Sequence, residues 1–173
     1  MAPSLYGLRR ADTPKEFGEP VHGLPHLLRL DELGVNFVEP EGTYENAQVE
    51  LSQKLAVRHG WIVRQGSGVS ALKTLERTGY SIITGHTHRQ SIVHHTIYEI
   101  DRTPRVLLAA EAGCMCRIDS QADEEGRRFP AYDVLADWQP GFCTATIYPD
   151  GKFKVDLGTW VNGVLLWQGQ RYE

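Results

Sequence analysis

Hydrophobic positions along this chain become regular only beyond residue 53. Before that point Gly and Pro recur at Pro14, Gly18, Pro20, Gly23, Pro25, Gly34, Pro40 and Gly42, leaving room only for short elements. One short helix is expected over Leu24 to Leu33, closed by Gly34 in the position after a helix that favours a left-handed backbone. Val35-Asn36-Phe37-Val38 alternates apolar with polar residues and reads as a short strand. Glu39 to Gln53 is polar and is expected to run as a surface loop.

From Lys54 the pattern sharpens. Leu55-Ala56-Val57 is a short β-type run that ends at Arg58-His59-Gly60. Ser67 or Ser70 is placed to cap a helix whose apolar residues Val69, Leu72 and Leu75 recur every three positions, with Gly79 closing it. Tyr80 to Thr84 is a second apolar strand, running into Gly85-His86-Thr87-His88. A strand, a helix and a strand in so short a segment favour parallel neighbours joined by a right-handed crossover. Beyond His88 the pattern is β, with strands expected at Ser91 to Ile100, Arg105 to Ala110, Phe142 to Tyr148, Lys152 to Leu157, Thr159 to Val161 and Val164 to Gln168. Asp150-Gly151 and Asn162-Gly163 supply the positive φ angles of tight hairpins, so the last part reads as an antiparallel meander. Asp119 to Pro130 is a polar excursion before it. With no repeat and no linker, residues 1–173 are expected to form a single domain.

Composition narrows the class. A 41% hydrophobic, 23% charged chain is globular in type, and its short apolar runs are far below the roughly twenty residues a membrane helix needs. The first ten residues lack the apolar stretch of a secretory signal, and three cysteines are an odd set for a disulfide framework. A cytoplasmic protein with reduced thiols and no membrane partner is expected. Eighteen basic against twenty-two acidic residues give a net charge of −4, so any nucleic acid or nucleotide must be held by a local site rather than by overall charge.

The candidate chemistry lies at His59, His86 and His88. Parallel strands finish at the same edge of a sheet, and that edge is where open α/β folds build ligand sites. With neighbouring strands about 4.8 Å apart, His59 after the first and His86 and His88 after the second are expected to converge. Gly60 and Gly85 leave room beside the rings and allow sharp turns. Neutral imidazole is the commonest side-chain ligand for transition metals, so the pattern points to a metal site.

Val57-Arg58-His59-Gly60 followed by Thr84-Gly85-His86-Thr87-His88-Arg89 resembles the last two metal-binding motifs of the calcineurin-like metallophosphoesterases. Gly113-Cys114-Met115-Cys116, Asp137-Trp138-Gln139-Pro140-Gly141-Phe142 and the closing meander are similar to compact bacterial and phage members, and LRLDELG at 28–34 fits their segment before the His-Gly strand. The resemblance covers residues 24–168. It implies an α/β fold: the C-terminal portion of a calcineurin-like αββα sandwich, one strand-helix-strand unit followed by a mostly antiparallel meander. It also implies that His59 and His86 bind one ion of a dinuclear manganese, iron or zinc pair and that His88 binds the other. Arg89 would touch a substrate phosphate. The implied activity is hydrolysis of a phosphodiester or phosphomonoester, a nucleotide among the candidates, by metal-activated hydroxide.

Three motifs of that family, Asp-x-His, Gly-Asp-x-x-Asp and Gly-Asn-His, are not in this sequence. Three imidazoles without carboxylates neutralise little cationic charge, so two close ions are not expected, and the chain alone is expected to bind metal weakly and hydrolyse poorly or not at all. A fragment, one half of a split enzyme completed by another chain, and a non-catalytic binding or assembly module all remain open; a sheet edge left unpaired would also favour a homo-oligomer. His22 and His26 are expected as exposed loop residues. Cys114-x-Cys116 with Cys143 is only half of a zinc site, and small buried side chains in a β core are the expectation. His94 and His95 fall on opposite faces of a strand, and Trp138, Trp160 and Trp167 are expected to pack the sandwich rather than stack on bases.

Overall fold

The computed structural model describes residues 15–16, 19–20, 27–30, 32–38, 47–116, 118 and 137–173. The chain divides into two compact units, 1–39 and 40–173. In the first, β1 (Lys15–Glu16) pairs antiparallel with β2 (Glu19–Pro20). Of the helix expected over 24–33, Leu27 is helical and residues 28–30 and 32–34 form turns among the described residues, with Gly34 left-handed at φ 66° as expected. Residues 35–38 carry no regular secondary structure and join no ladder among the described residues, so alternation alone did not make a strand. His22, His26 and the excursion at 119–130 lie outside the described residues.

The second unit contains β3 (Val49–Ser52), β4 (Leu55–Arg58), α1 (Val69–Thr78), β5 (Ser81–Thr84), β6 (Gln90–Tyr98) and β7 (Pro104–Ala112). It continues with β8 (Gly141–Ile147), β9 (Phe153–Val161), β10 (Val164–Trp167) and β11 (Gln170–Tyr172). One sheet is mixed, with order β3-β4-β5-β7-β6; the other is antiparallel, with order β11-β10-β9-β8. β4 and β5 are parallel neighbours, Arg58 opposite Thr84, as the strand-helix-strand pattern requires. β7 then inserts parallel to β5 and carries β6 antiparallel on its outer side, a strand order that the mostly antiparallel reading of the region beyond His88 did not specify.

Period-two alternation in the central strands divides the core. Ile83, Leu108 and Ala110 face the second sheet and pack with Leu55 and Val155. Ile82, Leu107 and Ala109 face the opposite way, onto Ala71 and Leu75 of α1. Strands buried on both faces read as continuous apolar runs, which is why β5 and β7 were visible in the sequence. The helix turns Ser70, Ala71, Thr74 and Leu75 inward. Val69 and Leu72, also on the expected stripe, are only half-buried.

Three further departures have local causes. β3 lies within the stretch expected as a loop; it is an exposed edge strand, so polar side chains cost it nothing there. β9 runs unbroken through Gly158, where Phe142 from β8 lies over the glycine and leaves no room for a side chain. Gln168-Gly169, both with positive φ, form a turn like Asn162-Gly163 and add β11. Among the described residues no helix is long and apolar enough to cross a membrane.

Candidate metal centre

His59 follows β4 and His86 follows β5, and the parallel register brings the two ends together: Gly85 N–H donates to the carbonyl of His59 at 3.0 Å. Gly60 has φ 91°, which only glycine adopts without strain. Gly85 has no positive φ; the left-handed positions are His86 at 61° and His88 at 59°. Two non-glycine residues in that region, two positions apart, store strain of the kind that gathers at functional sites.

The rings of His59 and His86 meet edge-on, with centroids 5.1 Å apart and planes at 76°. His59 Nε2 and His86 Nδ1 are separated by 3.1 Å, a hydrogen bond in which one nitrogen carries the proton. Partial burial holds the His59 pKa below the ordinary imidazole value, and the neighbouring His86 and His88 add to the effect. Neutral rings with available lone pairs are the state in which imidazole ligates.

His88 does not complete that pair. Its ring packs edge-on against Trp138, with centroids 4.3 Å apart. Gln139 N–H donates to the His88 carbonyl at 3.0 Å, and Gln139 O accepts from Cys114 N–H at 3.1 Å, so one residue of the β8 approach holds His88 and Cys114 side by side. The ligand atoms of His88, Cys114 and Cys116 all lie within 4.8 Å of one another. The three imidazoles form no group of that closeness among the described residues. Cys114 is buried, Cys143 half-buried and Cys116 exposed, so the expectation of three core cysteines fails at Cys116. Burial, followed by the adjacent Cys116 thiol, pushes Cys114 up to about 11.

Arg89 is held within the fold. Its guanidinium pairs with Asp137 at 3.2 Å and donates to the Arg64 carbonyl at 2.7 Å. Beneath the loop lies a residue the sequence did not single out, Glu111 on β7, fully buried. One carboxylate oxygen accepts from Thr87 Oγ1 at 3.0 Å; the other accepts from Ser91 Oγ at 3.2 Å and from Gly68 N–H at the start of α1. The expected serine caps are otherwise engaged: Ser67 donates to the Gln90 carbonyl, and Ser70 accepts from Arg64 N–H. Glu111 thus places a carboxylate at the start of a helix whose first turn has no acid, and fixes the residue between His86 and His88. An isolated Glu ending an apolar strand run was the only available signal.

The two histidines of β6 separate as expected, His94 exposed and His95 half-buried. Trp167 packs on Phe142 and Tyr172, whereas Trp160 is 44% exposed and lines a cavity rather than the core.

No family model matches the chain. It is 32% identical over 146 residues to the Gene 54 proteins of Mycobacterium phages L5 and D29, an alignment covering 78% of this chain and 53% of each relative. The chain therefore spans about half the length of the curated relatives it matches. Among solved structures it is similar to wild-type Vps29 complexed with zinc from Entamoeba histolytica, with 18% identity, a TM-score of 0.44, and coverage of 87% of this chain and 76% of that one.

Proposed function

We propose that this chain supplies imidazole ligands to the divalent-metal centre of a phosphoesterase acting on a small phosphodiester or phosphomonoester. The observation that carries the reading is the convergence of His59 and His86, nitrogens 3.1 Å apart, at the ends of two parallel strands. That spacing suits two ligands of one ion: with metal–nitrogen bonds of about 2.0–2.1 Å, neighbouring tetrahedral ligands lie about 3.3 Å apart. A bound ion would polarise a phosphoryl oxygen and acidify water. The protein's part is to keep His59 neutral, which its lowered pKa favours, and to aim both rings at one point, which the Gly85–His59 backbone bond favours.

Among the described residues no Asp or Glu joins these rings in a group of ligand spacing, so one weakly held ion and little turnover by this chain alone are the expected behaviour. Manganese, which has little preference for thiolate, is the appropriate probe. Calorimetric titration with manganese should give one weak site, weakened at least tenfold by His86→Ala or His59→Ala. A chromogenic phosphodiester should be hydrolysed at or near background. Affinity unchanged in both variants would remove the site; strong turnover abolished by His86→Ala would uphold the phosphoesterase and refute the weak-alone part of the reading.

A further inference from the structure

We infer that His88, Cys114 and Cys116 form a second metal site, separate from the His59–His86 pair, that takes a thiophilic divalent cation of the zinc type. The three ligand atoms are already within 4.8 Å of one another, so little rearrangement is needed to close them on an ion. They are brought there by backbone rather than chance: Gln139 bonds both His88 and Cys114, and Cys114 O accepts from Gly141 N–H at 2.8 Å, which fixes the Cys-x-Cys segment against the start of β8. Gly113, with φ 87°, permits that close approach, since a Cβ there would lie 2.7 Å from the Gln139 carbonyl.

A second observation points to a ligand. His88 Nδ1 is buried and has no hydrogen-bond partner among the described residues, although a buried ring nitrogen ordinarily has one. A bond to a cation is the other way of satisfying an imidazole, and the left-handed φ of His88 is strain spent on holding the ring in this place.

The donor set decides the metal class. Two thiolates cancel a divalent charge, and sulfur with imidazole selects zinc-like ions over magnesium, calcium or manganese. Three protein ligands leave the fourth position of a tetrahedral ion open, the pattern of sites that bind water or substrate rather than of closed structural sites. Exposed Cys116 gives the ion a path in, and both cysteines line a cavity of about 660 Å3 with Met115, Phe142 and Trp160. Binding converts both thiols to thiolates, so each ion taken up releases two protons to solvent.

The test is cobalt(II) added to the reduced full chain, read by its thiolate-to-metal charge-transfer absorption and by displacement with zinc. One equivalent should produce the band with release of two protons per ion, and zinc should abolish it by displacing cobalt with no further proton release. Cys116→Ser, at an exposed position where folding is not at issue, should weaken binding at least tenfold and roughly halve the band. His88→Ala should weaken binding tenfold or more, while Cys143→Ser and the double variant His59→Ala/His86→Ala should leave the band intact. Absence of the band, its survival at full strength in Cys116→Ser, or its loss in the His59/His86 double variant would each overturn the proposal. A Cys114–Cys116 disulfide in protein purified under reducing conditions would overturn it as well.

Discussion

Glu111 holds three structural pieces with one carboxylate, and its removal tests whether that junction is structural in the way the geometry implies. In Glu111→Ala the Gly68 N–H, buried at the start of α1, loses its acceptor, and the Thr87 and Ser91 hydroxyls lose theirs. A buried orphaned donor costs about 1–3 kcal/mol, while the two half-buried hydroxyls can turn to water at small cost. The cavity left by a fully buried side chain adds to this, giving about 3–5 kcal/mol in total. Against a urea slope of about 2 kcal/mol/M, the unfolding midpoint should fall by about 2 M. Glu111→Gln is the discriminating partner: its carbonyl oxygen can keep Gly68 and Ser91 while its NH2 donates to Thr87 Oγ1, so only charge assistance is lost, about 1–2 kcal/mol. Equilibrium urea unfolding of both variants, followed by tryptophan fluorescence and far-ultraviolet circular dichroism, measures the difference. An alanine variant within about 0.5 kcal/mol of the parent, or a glutamine variant as damaged as the alanine one, would refute the account.

Two further outcomes follow from particular residues. Gly68 has φ 83°, and a Cβ there would lie 2.6 Å from Val93 Cγ2, so Gly68→Ala should cost about 2–4 kcal/mol and lower the melting temperature by about 6–12 °C in calorimetry; a loss under 2 °C would mean the turn relaxes freely. Burial pushes the Cys143 thiol up to about 11 from an ordinary 9.0, so the folded state binds the proton more tightly than the unfolded one. Stability should therefore be level below pH 9 and fall as pH rises from 9 towards 11. At pH 8 native Cys143 should be alkylated about a hundredfold more slowly than in urea, as peptide mass spectrometry would show, and comparable rates would contradict the burial.

What the sequence made legible was set by whether an element's own side chains carried its stabilisation. β4, β5 and β7 are apolar because both faces are covered, and the two hairpin turns have positive φ at Gly151 and at Asn162 and Gly163, so pattern and turn chemistry located them. β3 draws its place from backbone pairing with β4 at an exposed edge, and nothing in its side chains had to record that. The start of α1 shows the same limit more sharply. Both nearby serines satisfy the local rule for a cap, yet the group that meets Gly68 is a glutamate forty-three positions later on β7.

The candidate site divides along the same line. His59 and His86 converge because register alone carries them there: each follows the end of a parallel strand, and the strands are neighbours. His88 is two positions further on, and side chains two positions apart point the same way only where the backbone is extended. The backbone is instead left-handed at both residues, which turns the second ring out of the pair. Where it goes is then decided by β8, through Gln139 and Trp138, whose nearness to His88 and Cys114 depends on the two sheets meeting. A motif read along the chain brings three histidines to one dinuclear centre; the long-range contacts set the third beside the cysteines. The two assignments demand different metals, because two neutral imidazoles leave the charge of an ion uncompensated and two thiolates cancel it. Manganese and cobalt titrations of the same variants therefore separate what sequence spacing alone had merged.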